Sequence, residues 1–402
     1  MRNLRVLLSE GSSLSSREII SVLGPVGHEL DVMDPDRWCL ARFSRWVRHV
    51  VRCPAVGQDP LGYLDAVLAR LRSRHYDVLL PTHEQAYLFA RLRERLPRDV
   101  GLAVADPSAF ADVQSKVAFC RLLERLELPQ PRFQVLDDPR QLDAWAYPYW
   151  LKAAFSTAGQ GVRPVRDEGE RASALAALWP AAGGLLVQAP AQGTYGQVQA
   201  LFDRGRLIAA HTCVAAATGI GGSAAARLSV DHRPAREHAA MLGEALSWHG
   251  GLTLDYFWTD RGCPLYLECN PRTVEPGNAV ASGVPIPQLQ LDLSLGETVN
   301  GPVVTGRPGV RTHSLMGICL GAADRRGRRR DVGAELAGAL ARRGVYHDSS
   351  EILTPLRSDP PSALALAVVL ARVLAAPRSA AQLAQRSVDA YALSPEAVQT
   401  IG

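Results

Sequence analysis

Residues 264–272 read PLYLECNPR. As a strand, this run sets Tyr266, Glu268 and Asn270 on one face and Leu265, Leu267 and Cys269 on the other, because side chains alternate along a strand. A second strand-like run, GLTLDYFW, lies just upstream. Between them, Asp260-Arg261-Gly262-Cys263 has the composition of a hairpin turn with Arg261 and Gly262 central. With a two-residue loop, the pairing places Asp255 opposite Glu268. Like charges directly opposed across a strand pair repel, at a spacing of about 5 Å. Such a pair needs a shared proton or a cation. Asn270 adds a neutral oxygen two residues along. Oxygen donors without His or Cys favour Mg²⁺ or Mn²⁺ over zinc, and Mg²⁺ commonly takes one or two carboxylates plus nucleotide phosphates. The same residues also suit an exposed polar hairpin face with no ligand.

A phosphate site needs cations and free backbone N–H groups. WLKAAFSTAGQGV puts Lys152 at a strand end, followed by the small residues Ser156, Thr157, Gly159 and Gly161. A loop of small residues lets backbone N–H groups approach phosphate oxygens, and a lysine adds a point charge. An ordinary hairpin turn has the same composition. Lys116, on a helical stretch, is a second candidate, because the cations of this chain are overwhelmingly arginine. It reads equally as a solvated helix residue.

These groups must be held by a framework. Residues 1–105 alternate strands (LRVLLSE, HELDVMD, YDVLLPT) with helical stretches, which predicts a parallel, doubly wound α/β domain. Its first turn, Gly11-Ser12-Ser13, lacks the G-x-G-x-x-G of a dinucleotide site. His83 and Glu84 follow the third strand, where ligands of α/β sheets collect; they also read as helix-capping polar residues. From about residue 106 the pattern changes to α+β. DPSAFADVQSKVAFCRLLERLELPQPRF predicts one helix ending before Pro129, and the strands that follow are joined by Gly-containing turns such as Asp203-Arg204-Gly205. Residues 301–402 are rich in Ala, Leu and Arg and read as mostly helical. Within them RRGRRR (325–330) is a basic connection between helices, and the apolar run 363–376, interrupted by Arg372, reads as a buried helix.

In chain order over residues 106–300, QSKVAFCRLLERLELPQPRF, YWLKAAFSTAGQGV, LLVQAPAQGTYGQVQALFDRG, GGSAAARLSV and LDYFWTDRGCPLYLECNPR resemble the ATP-grasp superfamily. The last segment is the most specific, and the flavour is similar to carboxylate-amine ligases and the ATP-binding unit of carbamoyl phosphate synthetase. The resemblance implies an N-terminal α/β domain (1–105), an ATP-grasp domain (106–300, with subdomains of about 106–180 and 181–300) and a C-terminal helical region (301–402). It implies that Lys116 and Lys152 contact ATP phosphates and that the loop with Ser156, Thr157, Gly159 and Gly161 closes over them. Val187, Gln188, Ala189 and Pro190 would form the linker that reads adenine. Asp255, Glu268 and Asn270 would hold Mg²⁺ (or Mn²⁺), and Arg227 and Arg272 would stabilise the transferring phosphoryl group and an acyl phosphate. Two positions depart from the pattern: Ala189 stands where the linker usually has Glu, and Tyr195 or its neighbours stand where an acidic residue often meets the ribose. Glu275 lies where it could receive a substrate amine, or it is a plain loop carboxylate.

The implied activity is ATP-dependent amide formation from a small-molecule carboxylate and an amine. Bicarbonate activation and non-catalytic ATP binding are the alternatives. Composition bounds the rest. A net charge of +4 does not suggest a nucleic-acid binder. Seven scattered cysteines without a C-x-x-C suggest a reducing cytoplasm. No apolar run reaches the roughly 18–20 residues of a membrane span, and the N-terminal apolar run is too short for a signal peptide. A homodimer is a further expectation of the resemblance.

Overall fold

Strands buried on both faces read as short apolar runs, and the first sheet is built from them. A computed structural model describes residues 2–155 and 161–401. In it β1 (Arg5–Leu8), α1 (Leu14–Leu23), β2 (Glu29–Asp34), β3 (Val47–Arg52), α2 (Pro60–Ser73), β4 (Val78–Leu80) and α3 (Gln85–Arg91) follow in order. The four strands are parallel, in the order β3-β2-β1-β4. The edge strand β3 (VRHVVR) was not among the expected strands. Its exposed charged residues hide the apolar pattern, and such charges are common on edges open to solvent. Ser13 caps α1 by accepting from Ser16 N. The register aligns Leu8 with Leu80, so Glu10, Ser12 and His83 emerge at one edge of the sheet.

The helix expected over 107–128 is two: α4 (Pro107–Gln114) and α5 (Lys116–Arg125). Ser115 is extended and caps α5 through Ala118 N, while Lys116 N–H donates to Ala154 O at 2.8 Å. That tertiary bond takes the N–H a continuous helix would use. Lys116 is therefore the first residue of a helix rather than a mid-helix residue.

A four-stranded antiparallel sheet follows, made of β5 (Phe133–Leu136), β6 (Tyr149–Ala153), β7 (Val162–Val165) and β8 (Leu185–Gln188), with α6 (Glu168–Leu178) between β7 and β8. The large sheet begins with β9 (Thr194–Asp203), β10 (Arg206–Thr218) and β11 (Ala224–Ser229). It continues after α7 (Arg233–Ala245) with β12 (Gly250–Trp258) and β13 (Pro264–Asn270). The β9–β10 turn falls at the expected Asp203-Arg204-Gly205 and has a two-residue loop, with Arg204 and Gly205 both at positive φ. Leu252, Leu254 and Tyr256 of β12 pack with Phe110, Phe119 and Trp248 in one core. Thr253 and Asp255 therefore face away from it, toward the smaller sheet and the N-terminal domain.

Next come α8 (Gly277–Ala281), α9 (Ile286–Ser294), β14 (Val304–Thr305), β15 (Arg311–His313), α10 (Leu315–Arg326), α11 (Arg329–Leu340), β16 (Ser349–Glu351), α12 (Ser362–Ala375), α13 (Ala380–Tyr391) and α14 (Pro395–Ile401). This part is mostly helical, but its short strands extend the large sheet to the order β13-β12-β9-β10-β11-β15-β16, with β14 beside β10. The RRGRRR run joins α10 to α11 through Gly327 in the left-handed conformation. The apolar helix α12 is not fully buried: Ala365, Leu366 and Val373 are inside, but Leu364 is 60% and Val368 63% exposed. Its apolar residues exceed one face, so sequence hydrophobicity overstated its burial. Among the described residues no helix is long and apolar enough to cross a membrane.

A buried ion pair ties this part to the N-terminal domain. Arg17 Nη2 lies 2.6 Å from Asp359 Oδ2, both side chains fully buried, and Asp359 also accepts from Ser44 Oγ and Arg45 N. Removing one partner of such a pair strands the other charge. Asp359→Ala should lower unfolding stability by about 3–5 kcal/mol in urea denaturation. A loss below about 1 kcal/mol would show that the pair does not join the two parts.

Candidate active site

The site is built on the β12–β13 hairpin. Asp255 does pair with Glu268, and Thr253 with Asn270. The turn, however, is not the expected two-residue one. Thr259 N–H donates to Cys263 O and Gly262 N–H to Thr259 O, so the loop is Asp260–Gly262, closed by Gly262 at φ +77. A three-residue loop ending in a left-handed glycine is a standard hairpin solution. It shifts the pairing by one, to Tyr256 with Tyr266. A bulge at Leu267 then shifts it back, so that Asp255 meets Glu268. The bulge also corrects the expected faces. Tyr266 turns into the core with Cys269, leaving Glu268 and Asn270 as the polar pair.

Each carboxylate has its own partners. Asp255 is buried, and accepts from Gln197 Nε2 at 2.9 Å and from Asn270 Nδ2 at 3.2 Å. Burial, then the Glu268 charge, push its carboxyl up to about 7. Glu268 is 40% exposed and lies 3.5 Å from Lys116 Nζ. Burial acts to raise its pKa, but Lys116 and then Lys152 outweigh it and hold the group below its ordinary value. Lys152 Nζ donates to Gln188 Oε1 at 2.6 Å, and burial lowers its pKa. Lys116 and Lys152 are the only lysines in a chain with 44 basic residues. Both act on Glu268.

A chain of hydrogen bonds runs outward from this centre. Arg272 Nη1 donates to Asn270 Oδ1 at 2.6 Å, so that oxygen, expected to face a cation, is engaged by a guanidinium. Arg272 Nη2 donates to His83 Nε2 at 2.8 Å. Burial, then Arg272, hold His83 well below its ordinary pKa and keep it neutral. On the other side, Gln197 Oε1 accepts from Arg227 Nε at 3.3 Å, and Arg227 Nη2 pairs with Glu275 Oε2 at 2.6 Å. Burial acts to lower the Arg227 pKa, but Glu275 and neighbouring acids raise it, so the guanidinium stays charged. Glu275 has a positive φ of 44°, uncommon for a side chain with a Cβ, and its loop is held by Ser15 Oγ and Gln199.

The other expected residues fall as follows. Val187 and Gln188 end β8, where the amide of Gln188 reaches Lys152. Ala189 N–H donates to Arg132 O, and Pro190 has no N–H, so neither offers a donor to a base. Gly161 O closes the β6–β7 mouth by accepting from Ala153 N, while Ser156, Thr157 and Gly159 lie outside the described residues. Glu84 lines the same cavity as Glu268, and its Oε2 accepts from Leu393 N. Sequence reasoning missed Gln197, which bridges Arg227 to Asp255. The signal was present: Gln197 and Gln199 alternate with Val198 and Ala200 in a strand that is otherwise apolar.

Two carboxylates fit a hard cation whose other positions are filled by phosphate oxygens and water. Among the described residues no three His, Cys, Asp or Glu side chains converge into a self-sufficient cage. The raised Asp255 pKa comes first from burial and then from the Glu268 charge. It also fixes a pH dependence. Between about pH 4, where an unfolded Asp ionises, and about pH 7, the folded state binds more protons, so stability falls as pH rises. Asp255→Asn should flatten that fall in urea unfolding measured from pH 4.5 to 8. An unchanged slope would mean that Asp255 does not hold its proton above the usual carboxylate range.

No protein-family model matches the sequence, and no curated protein sequence matches it. Solved structures do. The biotin carboxylase domain dimer of Hydrogenobacter thermophilus 2-oxoglutarate carboxylase, in complex with MgADP, ADP and bicarbonate, superposes with a TM-score of 0.60 at 16% identity, over 77% of this chain and 74% of that one. Carboxyaminoimidazole ribonucleotide synthase of Aspergillus clavatus, complexed with ATP, gives 0.60 at 15%, over 78% and 82%. L-amino acid ligase of Bacillus licheniformis gives 0.56 at 17%, over 73% and 75%. At these identities the likeness speaks to architecture, and it agrees with the motifs: the chain has the ATP-grasp fold.

Proposed function

We propose that this protein is an ATP-dependent ligase that activates a small-molecule carboxylate as an acyl phosphate and passes the acyl group to an amine, releasing ADP and phosphate. The observation that carries this reading is the Asp255–Glu268 pair, flanked by both lysines of the chain and connected to two buried arginines. Phosphoryl transfer asks mainly for positioning and charge neutralisation, and these groups do both. Lys116 and Lys152 offer compact charges to phosphate oxygens, with Lys152 aimed by Gln188. Arg272, fixed by Asn270 and His83, presents a guanidinium to the acyl phosphate, and its planar fork suits phosphate and carboxylate. Arg227 is held by Glu275 and Gln197 for the transferring phosphoryl group. Glu275 already neutralises Arg227, so positioning that arginine suits it better than receiving the amine. Asp255 and Glu268 would hold Mg²⁺ or Mn²⁺, which when bound neutralises phosphate charge, while Asn270, whose amide oxygen accepts from Arg272, ties Asp255 to that arginine.

The same reading assigns residues 1–105 and the C-terminal region to the substrate side, with residues 106–300 handling the nucleotide. A non-catalytic ATP-binding protein is less well supported, because Lys116, Asp255, Glu268, Arg227 and Arg272 cluster around one hairpin. ADP release in the presence of a panel of carboxylates and hydroxylamine tests the proposal, since hydroxylamine traps an acyl phosphate as a hydroxamate. Hydroxamate should form only with Mg²⁺ or Mn²⁺ present. Arg272→Ala should lower kcat by about 10²–10³-fold. Tight ATP binding without ADP release for any acid in the panel would count against a ligase.

A further inference from the structure

Building on the ligase reading, we propose that the acid activated here carries a short aliphatic side chain, and that the C-terminal segment supplies the wall that selects it. A cavity of about 90 Å³ opens beside the charged cluster. The charged part of its lining is Lys116, Glu268, Asn270 and Arg272, with Glu84, whose carboxylate is engaged by Leu393 N. The apolar part is formed by Phe110, Val113, Phe119, Leu393 and Val398. A charged head and an apolar tail match these two parts. An apolar cavity of about 150 Å³ takes benzene, so the smaller space suits a branched aliphatic group better than a phenyl ring. Bicarbonate has no carbon chain to fill the apolar part.

The charged part also holds a donor in need of an acceptor. Arg272 is a donor only, so His83 Nε2 must accept from it, and the imidazole proton therefore sits on Nδ1. His83 is 5% exposed, and among the described residues neither its Nδ1 nor Arg272 Nε has a partner. Buried donors left unpaired are costly, and a substrate carboxylate beside Arg272, which lines the cavity, would relieve that guanidinium.

The apolar wall is fastened to the N-terminal domain. Leu393 N–H donates to Glu84 Oε2 at 2.7 Å, and Ser394 Oγ to Gly57 O at 2.8 Å. The Tyr391 ring lies 3.9 Å from that of His83. Ile401 is buried in the core beside Val56 and Leu64. Gly57 permits this approach, since a Cβ there would sit 2.3 Å from Ala392 O. The hydrogen bond of Leu393 to Glu84 is made by its backbone N–H, so shortening the side chain of Leu393 or Val398 alters the cavity and keeps that fastening.

The test uses the full chain with MgATP, hydroxylamine and four acids: isovalerate, 3-phenylpropionate, succinate and bicarbonate. A carboxylate oxygen bonds to the γ-phosphorus as the bond to ADP breaks. The hydroxylamine nitrogen then bonds to the acyl carbon, phosphate leaves, and one proton is released. Isovalerate should show a kcat/KM at least about 10-fold above the other three. Leu393→Ala should raise kcat/KM for 3-phenylpropionate relative to isovalerate by about 10-fold with the KM for ATP unchanged. Val398→Ala should shift the ratio in the same direction, and serves if Leu393→Ala does not fold. A wild-type preference for succinate or bicarbonate overturns this proposal alone, as does a Leu393→Ala or Val398→Ala effect equal for all acids. ADP release with none of the four acids overturns the ligase reading together with it.

Discussion

Two carboxylates held opposite each other on neighbouring strands are the constraint around which this site is arranged. Strand pairing fixes the separation of Asp255 and Glu268, so neither can retreat from the other. The surroundings answer the repulsion asymmetrically. Glu268 is kept ionised by Lys116 and Lys152, while buried Asp255 has the amides of Gln197 and Asn270 and the Tyr195 hydroxyl beside it rather than a cation, and holds its proton to a higher pH. In the proposed reaction a cation bearing its own phosphate oxygens would relieve the repulsion of this pair.

The amides that support Asp255 also connect the two arginines. Gln197 links Asp255 to Arg227, and Asn270 links it to Arg272 and on to His83. Charge at the hairpin is thus coupled to the groups that would meet the acyl phosphate. The choice of cation is also informative. A chain that otherwise uses arginine throughout places its two lysines here. An ammonium is a compact charge on a flexible stem, able to approach a phosphate oxygen from any direction, whereas a guanidinium imposes a planar fork. The N-terminal domain adds His83 and Ser15, and the C-terminal segment adds the apolar wall, so groups from all three parts of the chain meet at one place.

Much of this was legible in the sequence, for local reasons. The alternation and turn residues of residues 250–272 predict the hairpin and the Asp255–Glu268 pairing. Yet the turn is one residue longer than expected, and the pairing survives because the bulge at Leu267 cancels the shift. Bulges carry little sequence signal, so Tyr266 was placed on the wrong face. The break at Ser115 was hidden for a similar reason. The helical pattern continues through it, and the bond from Lys116 N to Ala154 O that ends the first helix is tertiary. Strand β3 was masked by its exposed charges, and the half-exposed face of α12 by its uniform apolarity. The contact of Leu393 with Glu84 joins positions 309 residues apart, a separation at which no periodicity or motif carries information.

The central claim is that Asp255 and Glu268 share a cation only in company with a nucleotide. Mn²⁺ titration followed by electron paramagnetic resonance, with and without a non-hydrolysable ATP analogue, tests it directly. The account predicts weak Mn²⁺ binding to the protein alone, binding strengthened by the analogue, and loss of that strengthening in Glu268→Gln. Equal Mn²⁺ binding by Glu268→Gln and the unaltered protein in the presence of the analogue would contradict it.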